Sequence, residues 1–202
     1  MPKPRKQNIR KPEKRFFILC EGAKTEPLYF KELIKQISCP GNKVEIVLVD
    51  SKKNTCKELV KEGKLARKSK RDDVWVVVDK DGYTKHAEAF ETARANNIEI
   101  AFSSISFETW VLCHFSYTAK QFLKSEDIIH YINEQQYFEN GYSKSDPDLF
   151  SKLKDRLKTA CKNAKKLKAH HESGNPGEKR HTLNPFTNVD ELVEAIFALD
   201  TE

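Results

Sequence analysis

Four short apolar runs, separated by helix-like segments, constrain this chain more than any other feature. The runs are Arg15 to Cys20, Lys43 to Asp50, Asp73 to Asp79 and Ile98 to Ser103, each rich in β-branched or aromatic residues. Between them, Glu26 to Ile37, Asn54 to Ser69 and Thr84 to Asn96 carry apolar residues at helical spacing. A βαβαβαβ order with right-handed crossovers predicts an α/β fold, a Rossmann-like open parallel sheet of about four strands with flanking helices. In a 2-1-3-4 strand order, the first and third strands are neighbours at the topological switch point, where open α/β sheets bind ligands beyond their strand ends.

Beyond Ser104 the pattern is mainly helical. Phe107 to Phe115 and Asp127 to Phe138 read as helices, and Glu139 to Asp148 as a loop with Gly141 and Pro147. A long amphipathic helix is expected from Asp148 to His170, a polar loop over Glu172 to His181, and a last helix from Asn188 to Leu199. The expected organisation is a basic flexible arm (1–14), an α/β core (15–115) and a helical C-terminal extension packed on it (116–202).

Two acidic turns follow buried-strand candidates. Glu21-Gly22 succeeds Phe16 to Cys20, with Glu26 at the start of the next helix, and Asp79-Lys80-Asp81-Gly82 succeeds Val74 to Val78. Alternation along a strand places Asp79 and Asp81 on one face. Two carboxylates that close repel unless a cation lies between them. Mg²⁺ or Mn²⁺ suits such a site, because a hard cation of this size keeps several waters and completes its coordination with substrate phosphate. Glu21 would complete the ligand set or act as general base on water. Gly22 would allow a sharp turn, and Glu26 would either hold a second metal or favour the helix dipole. The bland alternative for each turn is an ordinary surface turn built from acids and glycine.

The run Phe17-Ile18-Leu19-Cys20-Glu21-Gly22-Ala23-Lys24-Thr25-Glu26-Pro27-Leu28-Tyr29-Phe30 resembles the opening of the RloB-like proteins. These are bacterial proteins with a Toprim domain, found beside restriction and phage-defence genes. The resemblance continues through Val76 to Asp81, Ser106-Phe107-Glu108-Thr109-Trp110-Val111-Leu112 and Asn184-Pro185-Phe186-Thr187-Asn188-Val189. It implies a Toprim fold and metal-dependent phosphodiester hydrolysis, related to the Toprim part of overcoming-lysogenization-defect nucleases. Glu21, Asp79 and Asp81 match the Toprim acidic positions. Glu108, in the segment Phe-Glu-x-Trp, is either a further metal ligand or a solvated charge in a first helical turn. Phe107 and Trp110 read as core residues rather than base-stacking platforms. Toprim proteins also rejoin and polymerise, but rejoining needs a tyrosine domain for which the chain has little room and polymerisation a nucleotide-binding partner domain that is not evident, which leaves hydrolysis as the simplest reaction.

A formal charge of +6 favours a polyanionic partner, DNA or RNA. Lys24, Lys80 and Lys85 flank the acidic turns and are candidates for phosphate contact, although alternation turns Lys80 away from Asp79. Lys154, Lys158, Lys162 and Lys166 form an i+4 row, continued by Lys179 and Arg180, that would track a nucleic-acid backbone or else be a solvated helix face. The basic residues Lys3 to Arg15 read as a disordered tail or a non-specific anchor.

Five cysteines without C-x-x-C spacing suggest reduced thiols in a soluble, cytoplasmic protein. No apolar run approaches membrane-spanning length. His114 reads as a packed histidine, and His170, His171 and His181 as surface residues. The chain has no G-x-x-x-x-G-K-[ST] loop, so an ATPase partner would be separately encoded. Two other functions compete with the nuclease: a non-catalytic nucleic-acid- or partner-binding subunit of an ATPase-containing defence complex, and a haloacid-dehalogenase-type phosphatase. The second wants Thr or Val where this chain has Tyr83. A homo-oligomer is compatible with the amphipathic helix.

Overall fold

The computed structural model describes residues 13–37, 44–80, 84–174 and 176–200. Five strands form one sheet in the order β2-β1-β3-β4-β5. The strands are β1 (Lys14–Cys20), β2 (Val44–Val49), β3 (Asp73–Asp79), β4 (Glu99–Ser104) and β5 (Phe186–Thr187). The first four pair in parallel, with Phe16 of β1 opposite both Ile46 and Asp73, and Val77 opposite Ala101. The helices are α1 (Thr25–Ile34), α2 (Cys56–Ala66), α3 (His86–Ala95), α4 (Glu108–Cys113), α5 (Ser125–Glu134), α6 (Leu149–Leu153), α7 (Leu157–Gly174) and α8 (Val189–Ala198).

Strand alternation divides the core. Phe16, Ile18 and Cys20 of β1, with Trp75 and Val77 of β3, face α1, α4 and the C-terminal helices. Phe17 and Leu19, with Val74, Val76 and Val78, face α2 and α3. Covering on both sides explains why these strands read as unbroken apolar runs. The helix α1 leads from β1 towards one edge, whereas α2 and α3 lead towards the other, so right-handed crossovers put them on opposite faces. The chain therefore changes direction between β1 and β3, the expected switch point.

The fifth strand was not anticipated. Two residues are too few to show a period, yet Ser103 pairs with Thr187 and Ser104 with Phe186, antiparallel to the rest. Asn188 extends this edge with its side chain. Its Oδ1 accepts the Phe102 N–H at 2.7 Å and its Nδ2 donates to the Ile100 carbonyl at 2.9 Å. The C-terminal part is thus helical except where it completes the sheet.

Most element boundaries lie a few residues from the sequence reading, and three of the differences bear on the site or the arm. The long C-terminal helix is interrupted by a 3-10 turn over Lys154–Arg156, and then runs past His170 to Gly174, so its last turn occupies part of the expected loop. The helix α5 starts at Ser125, where the Lys124 N–H donates to Asp127, and stops before Gln136, which adopts a left-handed φ of 54°. Lys14, expected to end the basic arm, begins β1 and pairs with Asp73 at 2.7 Å. Most of the arm, residues 1–12, lies outside the described residues.

All six residues of α4 are buried, as expected of a helix surrounded by protein. The small side chains Ala160 and Ala164 face the core from α7, and Asn163 Nδ2 donates to the Cys113 carbonyl at 2.8 Å where α4 ends. Phe107 and Trp110 are core residues, as anticipated. Among the described residues, no helix is long and apolar enough to cross a membrane.

Candidate functional site: an acidic pocket at the switch point

The carboxyl ends of β1, β3 and β4 each deliver an acid to the same edge of the sheet. Glu21 follows β1, and its N–H donates to the Val77 carbonyl at 2.9 Å, which continues the β1–β3 pairing by one residue. Its Oε2 accepts the Asp79 N–H at 3.1 Å. Asp79 ends β3 on the face of Trp75 and Val77, and so looks towards α1 and α4. From those helices come Glu26, in the first turn of α1, and Glu108, the first residue of α4. Both are buried, at 6% and 1% exposure. Glu108 is therefore not the solvated charge of an ordinary helix start.

Crowding and burial govern the electrostatics. Burial pushes the Asp79 carboxyl well above the usual range, and the charges of Glu26, Glu108 and Glu21 push the same way, opposed by the backbone N–H of Phe107. Asp79 Oδ1 is enclosed and has no hydrogen-bond partner. Glu26 is raised to about 7 by burial and by Glu108, against the effect of its own backbone N–H and of Lys144. The Cys20 thiol beneath is raised by burial and by Glu26 and Asp79.

Gly22 serves this pocket in an unexpected way. Its φ is not in the left-handed region, so the turn itself does not demand glycine. A Cβ at this position would instead overlap the Glu26 carboxylate, which lies against the Gly22 backbone.

Three contributors lay outside the sequence reading. Tyr142 Oη donates to Glu108 Oε1 at 2.8 Å, and Lys144 Nζ lies 3.4 Å from Glu108 Oε2. Thr25 Oγ1 donates to the Lys144 carbonyl at 3.0 Å. The segment from Gly141 to Lys144 is thus a strap that ties Glu108 of α4 to Thr25 of α1. It is held further by the Tyr142 N–H donating to Asn133 Oδ1 at 2.7 Å, and Gly141 supplies the positive φ of 75° at its start. An aromatic residue and a lysine between Gly141 and Pro147 are the only sequence signal of it.

The donor set suits a hard cation: oxygen ligands of like charge, one of them an orphaned buried oxygen. Mg²⁺ needs only one or two protein carboxylates when waters and phosphate complete its shell, and Asp79 with Glu21 would supply them. Among the described residues, no three acidic, histidine or cysteine side chains converge into a ligand set. Asp81, the other half of the Asp-x-Asp pair, lies outside the described residues.

The basic candidates are not gathered at the pocket. Lys24 is exposed beside it. Lys80 points to the other face, as alternation requires, and donates to the Thr182 carbonyl at 3.1 Å. Lys154 belongs to the 3-10 turn, while Lys158 and Lys162 border an apolar groove with Phe197, and Lys166 sits 4.2 Å from the Tyr117 ring centre. An i+4 row drifts about 40° per step around a helix, so these four lysines wind rather than form a straight stripe. Lys179 is exposed, whereas Arg180 is engaged by Glu191 through two hydrogen bonds of 2.9 and 3.0 Å.

Of the histidines, His114 is fully buried between Tyr29 and the Trp110 carbonyl, and burial lowers it to about 4. His171 is half-buried and bonds to the Pro185 carbonyl at 2.6 Å, and His181 packs on Phe90. Of the three histidines expected at the surface, His170 is the fully exposed one.

A family model described as "RloB-like protein" matches residues 16–196. No curated protein and no solved structure matches the chain.

Proposed function

The chain belongs to the RloB-like family, and from that membership and its acidic pocket we propose that it is a Toprim-type nuclease hydrolysing nucleic-acid phosphodiester bonds with Mg²⁺ or Mn²⁺. The observation that carries this reading is the buried, unpartnered Asp79 Oδ1 at the ligand-binding edge of a parallel sheet, on which the charges of Glu26, Glu108 and Glu21 also act. An acid kept in such surroundings costs stability, and a cation relieves that cost.

A bound divalent cation supplies Lewis-acid polarisation of a phosphoryl oxygen and a more acidic water. Asp79 and Asp81 would hold it, with Glu21 as a further ligand or as the base that would take a proton from the attacking water. Glu21 is fixed for either task by the Asp79 N–H. Glu26 from α1 and Glu108 from α4 would add their carboxylates to the surroundings of the cation, with Glu108 Oε2 as a further oxygen for it. Lys158, Lys162 and Lys179, exposed and without ion pairs among the described residues, are the groups suited to a phosphate backbone. The work would be phage defence or a restriction-linked system, with a separately encoded ATPase.

The test is incubation of purified protein with plasmid DNA, single-stranded DNA and total RNA, in Mg²⁺, Mn²⁺ or EDTA, beside the Asp79→Ala variant. Metal-dependent cleavage of one substrate class, absent in the variant, is the expected result. A second reading is a non-catalytic binding subunit, favoured by the fact that Glu108 already has a protein cation in Lys144. Salt-sensitive nucleic-acid binding by both proteins, without cleavage, would favour that reading.

A further inference from the structure

Glu108 is held very differently on its two oxygens. Oε1 receives the Tyr142 hydroxyl at 2.8 Å, a buried contact between two buried residues. Oε2 has no hydrogen bond at all; its nearest cation is the Lys144 ammonium at 3.4 Å. Charge-assisted N–H···O bonds close to about 2.7–2.9 Å when geometry permits. The ammonium thus neutralises this oxygen without satisfying it. Their exposures differ as well. The Glu108 side chain is 1% exposed, whereas the Lys144 side chain is 42% exposed and reaches in from solvent. The Lys144 backbone, not its ammonium, anchors the strap to Thr25.

We infer that Lys144 is an exchangeable counter-ion of the acidic pocket, a tethered ammonium that holds the charge of Glu108 until a divalent cation takes its place and releases it to solvent. The inference rests on the proposed metal-dependent reading, and assigns that site its gate. It also explains the one-sided fixing of the carboxylate: Tyr142 presents Oε2 to whichever cation is present. An ammonium beside Glu108 whose charge also acts on Glu26 lowers their joint affinity for a second cation, because the two cations compete for the same field.

The experiment is Mn²⁺ titration of the wild-type, Lys144→Met and Asp79→Asn proteins, with free Mn²⁺ read by electron paramagnetic resonance. Lys144→Met removes the ammonium and keeps the backbone anchor, and should bind Mn²⁺ about tenfold more tightly than wild type. Equal or weaker binding in Lys144→Met, or no binding by either wild type or Lys144→Met, overturns the inference. A measurement on the unmodified chain guards against a misfolded variant. Acetylation of Lys144, followed by peptide mass spectrometry, should rise severalfold when Mn²⁺ is added to the wild type, and constant labelling overturns the inference independently. Nuclease activity is scored separately. Cleavage with an unchanged affinity for Lys144→Met leaves the nuclease standing and removes the gate. Tighter Mn²⁺ binding without cleavage keeps the gate and removes the nuclease.

Discussion

Glu21 and Asp79 are tied to each other through the main chain: Glu21 Oε2 accepts the Asp79 N–H at 3.1 Å across neighbouring parallel strands. The position of one acid is therefore set by the backbone that carries the other. Glu21→Gln keeps a side-chain acceptor of the same length, so its unfolding free energy in urea should lie within about 0.5 kcal/mol of wild type. Under the nuclease reading its cleavage rate should fall about a hundredfold or more, because an amide is neither base nor charged ligand. Wild-type turnover by this variant would remove Glu21 from the chemistry.

The pH dependence of stability in EDTA should reflect Glu26. Its folded pKa, about 7, is raised above the usual 4.5 mainly by burial. A group raised in this way contributes stability that is fully present below its unfolded pKa and is lost as pH climbs through the folded value. Stability should therefore fall between about pH 4.5 and 7, by up to about 3 kcal/mol from this group, with Asp79 acting in the same direction. Glu26→Gln should flatten the curve in urea titrations. A stability that rises over this window would contradict the assignment.

Tyr142→Phe removes the hydroxyl from Glu108 Oε1 and leaves a buried carboxylate oxygen without its donor. The cost should be about 1.5–3 kcal/mol, the usual worth of a hydrogen bond to a charged group. Chemical denaturation at pH 8 would measure it, and a change below about 0.5 kcal/mol would mean that the strap does not secure Glu108.

Gly22→Ala places a methyl group where the Glu26 carboxylate lies. The carboxylate must move, so about 1–3 kcal/mol of destabilisation is expected from overpacking. Combining the change with Glu26→Ala should restore most of the loss, which a double-mutant cycle would reveal. An additive cycle would separate the two residues.

Asn188→Ala removes the side-chain acceptor for the Phe102 N–H and the donor to the Ile100 carbonyl. Two buried backbone groups of β4 lose their partners, at about 1–3 kcal/mol each. The expected signature is a large drop in melting temperature with faster amide exchange at Phe102.

The parallel sheet was readable because β1 and β3 are covered on both faces, which makes Phe16 to Cys20 and Val74 to Val78 continuous apolar runs. The acids at the strand ends were readable for the same reason, as polar residues directly after such runs. The strap was not. Tyr142 and Lys144 act on Glu108 across a stretch of chain with no periodicity, and their partnership exists only in three dimensions. The strand β5 was hidden by its shortness, and the break at Lys154–Arg156 by the apolar spacing of Leu149, Leu153 and Leu157, which continues through it. The role of Gly22 was hidden too, since glycine in a turn has an ordinary explanation and its real neighbour is a side chain four positions on.

The strap and β5 both come late in the chain, and this sets an order on biosynthesis. Glu21, Glu26, Asp79 and Glu108 leave the ribosome before Lys144, and β4 before Phe186 and Asn188. A nascent chain that has reached β4 shows an open strand edge and an acidic hollow without its lysine. Such intermediates are the species most prone to associate wrongly and most in need of chaperones. The charge balance is complete once Lys144 has been made, but the sheet edge only when Phe186 and Asn188 dock on β4, so a chain cut short before Phe186 should accumulate as aggregate even though its acids have their lysine.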